Sequence, residues 1–173
     1  MKRRVPHHSG LFLTALVALS GLSGLSGSQA LAATVTNTFN VTANVSSECA
    51  VSAATLAFGT YSITASSPDD ATSTITVTCT NGTDWDVSLN GGGTGLILAR
   101  LMSGTGNPLN LLGYQLYTSA GRTTVWGDGL LGSQVSGTGT GSAQSLTVYG
   151  RIPAGQAVAS DSYTDTVTVA VTY

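Results

Sequence analysis

Apolar and polar residues alternate one for one from Thr34 to Val45, TVTNTFNVTANV. One face carries Val35, Asn37, Phe39, Val41, Ala43 and Val45, and the other Thr34, Thr36, Thr38, Asn40, Thr42 and Asn44. A period of two held over twelve residues predicts a strand with one buried face. Ser46-Ser47-Glu48 joins it to the rest of the chain. The same period returns in Thr72–Thr80, where Ile75, Val77 and Cys79 share a face, and in Asp84–Leu89, where Trp85, Val87 and Leu89 do. Asn81-Gly82 between these two predicts a hairpin turn. Cys49–Phe58, Leu111–Thr118 and Ser145–Ile152 read as further strands, and Leu96–Met102 is an apolar segment that carries Arg100. Tyr163–Tyr173 closes the chain with Val167, Val169, Val171 and Tyr173 along one face. Ser66–Asp70, Asn90–Gly93 and Gly104–Pro108 are turn clusters, and Gly127–Ser142 reads as a low-complexity surface loop. No helical period occurs after residue 32. About seven strands at intervals of roughly ten to twenty residues predict an all-β, immunoglobulin-like β-sandwich.

Charged residues make up 8% of the 173-residue chain and apolar residues 42%. An ordinary globular protein has about 25% charged residues. Low charge with many β-branched residues suits a turn-rich β domain and argues against a disordered chain. Residues 1–32 read as a secretory signal peptide. Lys2, Arg3 and Arg4 precede an apolar run, Leu11–Leu19, and Ala30-Leu31-Ala32 matches the A-x-A cleavage pattern. Residues 33–48 are then an extension and linker, and 49–173 the domain. The expected product is exported. It carries three arginines against eight acids, a net charge of −5, which excludes a basic nucleic-acid surface. Its two cysteines, Cys49 and Cys79, are expected to form a disulfide in an oxidising compartment. On the chain-entropy argument that loop closure contributes roughly 3–4 kcal/mol.

Both histidines and the only lysine fall within residues 1–32. Ser/His/Asp, Cys/His, Ser/Lys and Schiff-base schemes are therefore excluded from the exported part. Asp84 and Asp86 flank Trp85, an arrangement that invites a glycosidase or sugar-binding reading. The plainer reading is that both carboxylates face solvent while Trp85 packs the core. Asp69-Asp70 follows Pro68 in a turn and lacks the further acidic ligands that calcium requires. Asp165 is expected to pair with Arg151 or Arg100. No enzyme, cofactor or metal site is expected.

The terminal strand is expected to run to Tyr173, with no later segment expected to pair with it. If that strand lies at a sheet edge, the sandwich has an open groove there, with unpaired backbone groups and exposed core. Inserting Thr34–Val45 of a second copy would bury Val35, Phe39, Val41 and Val45. That contributes on the order of 6–12 kcal/mol at about 1.5–3 kcal/mol per side chain. Self-insertion must turn through Ser46–Glu48, which allows a hairpin but does not reach the far edge of a sandwich.

Motifs along the chain carry a family resemblance. They include Cys49-Ala50-Val51, Phe58-Gly59 with Tyr61, Thr78-Cys79-Thr80, Leu89 before Gly91–Gly93, and Arg100. They continue through Tyr114-Gln115-Leu116-Tyr117, Trp126-Gly127-Asp128-Gly129 and Val148–Pro153 with Gly155-Gln156. Tyr163-Thr164-Asp165 and Val171-Thr172-Tyr173 complete the set. In order and spacing the chain resembles the spore coat protein U and archaic, Csu-type chaperone–usher pilin family over nearly all of residues 33–173. Ser162 departs from the pattern, where a glycine is expected before Tyr-x-Asp. The resemblance implies an incomplete immunoglobulin-like subunit with a periplasmic chaperone, an outer-membrane usher and neighbouring subunits as partners. The chaperone would lend a strand to the groove, and Val35, Phe39, Val41, Ala43 and Val45 of the next subunit would replace it. Such head-to-tail insertion does not close, so it builds a fibre. The alternative is a secreted β-sandwich adhesin or coat protein that does not polymerise.

Overall fold

Nine strands form in the computed structural model, which describes residues 32–173. They are β1 (Cys49–Ala53), β2 (Asp69–Cys79), β3 (Asp84–Leu89), β4 (Arg100–Gly104), β5 (Leu111–Tyr117), β6 (Val135–Thr138), β7 (Gln144–Ile152), β8 (Tyr163–Thr164) and β9 (Val169–Thr172). One sheet has the order β1-β2-β7-β5-β4-β8 and the other β6-β3-β9. Every pairing is antiparallel. The inward positions are those that the period of two marks: Ile75, Val77 and Cys79 of β2, Trp85, Val87 and Leu89 of β3, and Leu112, Tyr114 and Leu116 of β5. With Val148 and Ile152 of β7 they form one core between the sheets. This is an immunoglobulin-like β-sandwich. Residues 1–31, and with them nearly all of the expected signal peptide, lie outside the described residues. Residues 32–42 contain no strand and their side chains are exposed. Residues 43–48 lead into β1, with Thr80 N–H donating to the Glu48 carbonyl at 2.9 Å. Cys49 and Cys79 face each other across β1 and β2 and are disulfide-bonded.

Several elements differ from the sequence expectation. Asn81-Gly82 does form a turn, with Gly82 at φ +81°, but not a hairpin. Both edges of β2 are already occupied, by β1 and β7, so β3 crosses to the opposite sheet. Its apolar face then meets that of β2 across the core. Asp69 and Asp70 are not in a loop. They begin β2 opposite Ile152 and Arg151 of β7. The expected loop Gly127–Ser142 contains β6, which pairs with β3. Its apolar signal is weak because glycine takes the inward place. A Cβ on Gly137 would stand 2.3 Å from the Trp85 ring, so only a residue without a side chain fits. The strand expected over Cys49–Phe58 ends at Ala53, and the terminal strand divides between the two sheets.

Asp84 is exposed and accepts from Thr138 Oγ1 at 2.8 Å, Asp86 accepts from Ser136 Oγ, and Trp85 is buried between them in sequence. The pair are β-sheet surface residues, as the plainer reading expects. Asp70 carries the ion pairs. Arg151 donates to its two oxygens at 2.7 and 2.8 Å, and Arg122 Nε lies 3.2 Å away. The Arg151 fork holds the Asp70 carboxyl below the usual carboxylate range. Its folded-state value therefore lies below its unfolded value, so its contribution is complete above about pH 4 and is lost as pH falls through the folded value. The thermal midpoint should drop on acidification below about pH 4, and Asp70→Asn should flatten that drop. Equal slopes for the two proteins would show that the pair does not stabilise the domain.

Candidate functional site

A cleft of about 1190 Å³ opens between the two sheets of the domain. Its floor is the core itself: Ile75, Leu89, Leu112, Tyr114, Leu116, Val148 and Ile152. One wall is the continuous segment Ala53–Ile63 and the other runs from Val158 to Val167, with Val169 beyond it. β9 is the last strand of its sheet, paired on one side with β3, and among the described residues no strand pairs with its other edge.

Past Ala53, which ends β1, the first wall is held without being a strand. Ala54 N–H donates to the Thr74 carbonyl at 2.9 Å, and Ser73 Oγ donates to the Ala54 carbonyl at 2.7 Å. Leu56 and Phe58 then turn toward β7. They fit because residue 150 is glycine: a Cβ there would lie 2.8 Å from the Phe58 ring and 2.9 Å from Leu56. Phe58 packs edge-on against Tyr114, with ring centroids 6.4 Å apart. Tyr61 ties the end of the wall. Its hydroxyl donates to the Pro153 carbonyl and accepts from Gln156 N–H, both at 2.9 Å. The Gln156 side chain bonds both backbone groups of Gly113 at 2.8 Å. The motif residues Phe58, Tyr61, Gly150 and Gln156 thus share one task, fixing this wall on β5 and β7.

The second wall is anchored by two aspartates. Asp161 accepts from Gly106 N–H at 2.9 Å, Asn107 N–H at 3.1 Å and Ser162 N–H at 2.8 Å. These backbone donors, Gly106 first, hold its carboxyl below the usual range. Asp165 stands where the chain leaves β8 for β9. It accepts from Gly93 N–H at 2.7 Å, Thr166 N–H at 2.8 Å and the Tyr114 hydroxyl at 2.6 Å. Burial, and then this bond, push the Tyr114 phenol well above its ordinary value, so it keeps its proton and donates. A Cβ on Gly92, which has φ +68°, would lie 2.0 Å from the Asp165 carboxylate. Gly92 and Gly93 therefore serve close approach to Asp165, while Gly91 makes room for the backbone of Gly95.

The expected Asp165–arginine pair does not form. Arg151 is committed to Asp70, and Arg100 is wholly buried with no carboxylate at its head. Its guanidinium donates to the carbonyls of Leu89, Asn90, Ile97 and Trp126 and to Gln115 Oε1. Burial lowers its affinity for the proton relative to a free arginine. Backbone carbonyls, not an acid, therefore satisfy this cation. Arg100 joins the end of β3 to β4, β5 and the Trp126 turn beneath the cleft.

Of the residues expected to face the groove, Val167 and Val169 line it. Val171 is half-buried on the same face, and Tyr173 is 59% exposed. Among the expected inserting residues, Val35, Phe39, Val41 and Val45 are 93, 84, 83 and 85% exposed. Sequence reasoning named the terminal strand but missed the wall Ala53–Ile63. Beyond Ala53 that segment lacks ladder pairing and a strict period, and the signs of it were the strand expected through Phe58 and the Phe58-Gly59 and Tyr61 motif.

A family model described as Spore Coat Protein U domain matches residues 35–170. Protein U of Myxococcus xanthus is 32% identical over 161 residues, covering 84% of this chain and 89% of that protein. Among solved structures, the chain is similar to one in the CsuC–CsuE chaperone–tip adhesion subunit pre-assembly complex from archaic chaperone-usher Csu pili of Acinetobacter baumannii. The TM-score is 0.54 at 24% identity, over 75% of this chain and 40% of that one. At that identity the likeness is one of fold.

Proposed function

We propose that this chain, which belongs to the Spore Coat Protein U domain family, is a structural subunit of a secreted surface fibre. Residues 34–45 of one copy fill the cleft of the next. The observation that carries this reading is the pairing of two unmet needs. The domain has an apolar cleft open to its core, beside the β9 edge that pairs with no strand among the described residues. The same chain holds a twelve-residue amphipathic segment that forms no strand of its own. The wall Ala53–Ile63 would span about 36 Å if extended, at about 3.3 Å per residue, close to the length of the segment. Inserted residues would gain backbone partners at the β9 edge and bury Val35, Phe39, Val41, Ala43 and Val45 on the cleft floor.

Before assembly the open cleft would need another cover. The similar solved chain comes from a complex of a chaperone with a pilus subunit, which supports a periplasmic chaperone as the temporary partner. An outer-membrane usher, a cell-surface location and a role in adhesion or biofilm formation follow from the same reading. So does the division into a signal peptide (1–32), an inserting extension (33–48) and a fibre domain (49–173). The work is mechanical and needs no catalytic group. Cells expressing the chain with its export machinery should display fibres that bind an antibody to it, visible by electron microscopy. Export as dispersed monomers would instead support the non-polymerising adhesin or coat protein.

A further inference from the structure

We infer that Asn37 sets the register of the inserted segment by hydrogen bonding to Asp165 in the cleft of the receiving copy. The inference rests on the strand-insertion reading and adds what fixes the segment in place. A segment with a plain period of two can slip by two residues and still present apolar side chains to an apolar floor. Something must penalise that slip if assembly is to be uniform. The inward face of residues 34–45 has a single amide, Asn37, among Val35, Phe39, Val41, Ala43 and Val45. The wall it would meet has a matching pattern. Asp161, Tyr163, Asp165, Val167, Val169 and Val171 are the half-buried positions, with two carboxylates among them.

The carboxylate has capacity to accept. Asp165 Oδ1 takes two backbone donors, Gly93 and Thr166, while Oδ2 takes only the Tyr114 hydroxyl among the described residues. Asp165 and Tyr114 both line the cleft. Asp161, the other acid of that wall, is a poor competitor, because its two oxygens already accept from Gly106, Asn107, Ser162 and Asn110. An Asn37 side-chain N–H would complete Oδ2. With Asn37 beside Asp165, Val35 and Phe39 fall beside Tyr163 and Val167, and a segment running parallel to β9 also lays Val41 and Ala43 beside Val169 and Val171 at its edge. A slip of two residues places Asn37 against Val167 or Tyr163 and leaves an apolar side chain over the carboxylate. Both groups then lose partners as water is excluded. A single polar residue in an apolar seam fixes register in the same way in coiled coils.

The test is the rate at which detergent-resistant multimers of the full chain dissociate at pH 7, beside Phe39→Asp as the control for insertion itself. Asn37→Asp should speed dissociation at least tenfold by placing two carboxylates together, and adding Asp165→Asn should restore it to within about threefold of wild type. Asn37→Val, which leaves the domain untouched, should also weaken the multimers. Multimers of Asn37→Val as durable as wild type, or more so, would overturn the register role, as would an Asn37→Asp defect that a folded Asp165→Asn partner does not relieve. If Phe39→Asp also left the multimers intact, strand insertion itself would be wrong, and not just the register.

Discussion

Replacing Phe39 with aspartate should abolish multimers and leave the domain as stable as before. Phe39 is 84% exposed in its own chain, so nothing in the folded domain depends on it. In a fibre it would be the largest side chain inserted into a neighbour. Losing its ring there removes about 3–5 kcal/mol, the range for truncating a buried phenylalanine. The new carboxylate would also have to leave water for a floor of leucine, isoleucine and valine, which costs several kcal/mol more or prevents insertion outright. The measurement is a pair: multimers on an unboiled gel, and the thermal midpoint of the monomer. Loss of the first with no shift in the second is the expected result. A variant that assembles like wild type would mean that Phe39 does not enter the cleft.

Arg100→Ala should show the opposite signature, a collapse of the domain itself. The guanidinium is wholly buried and satisfies four carbonyls and Gln115 Oε1. Removing it strands these acceptors, at about 1–3 kcal/mol for each that water cannot reach. The expected loss is at least about 4 kcal/mol, in the range of the most damaging single substitutions. Arg100→Lys should recover only part of this, because an ammonium has three tetrahedral N–H donors where the guanidinium has five in one plane. Urea unfolding reads both variants. A loss below about 1 kcal/mol would show that water replaces the guanidinium at little cost. Assembly would fail in Arg100→Ala too, but through loss of the fold, which the thermal midpoint separates from the Phe39 case.

The two-residue period revealed the core. Val77, Val87, Leu89 and Leu112 are buried where alternation puts them, because a strand with one wet face has no other way to orient its side chains. What alternation cannot reveal is which strands pair. The period reads the same in a hairpin and in a crossing between sheets, so β2 and β3 looked like neighbours until the partners on either side of β2 were known. Glycine hides strands as well. β6 packs over Trp85 through Gly137, which has no side chain to register as apolar. Arg100 and Asp165 were visible as charged residues in apolar surroundings, and opposite charge suggested a pair. The fold instead gives each a set of uncharged partners, backbone carbonyls for one and N–H and phenol groups for the other. The segment proposed to insert stands out in the sequence because nothing else in the chain has twelve residues of such regular alternation. Its complement was only half legible, since one wall of the cleft is irregular backbone.

The most direct test is a gel of the exported protein, run without boiling, beside a version lacking residues 33–45. The account predicts a ladder of detergent-resistant multimers for the first, dispersed by boiling, and a single folded monomer for the second. Monomers in both lanes, with both proteins folded and freed of any chaperone, would contradict it.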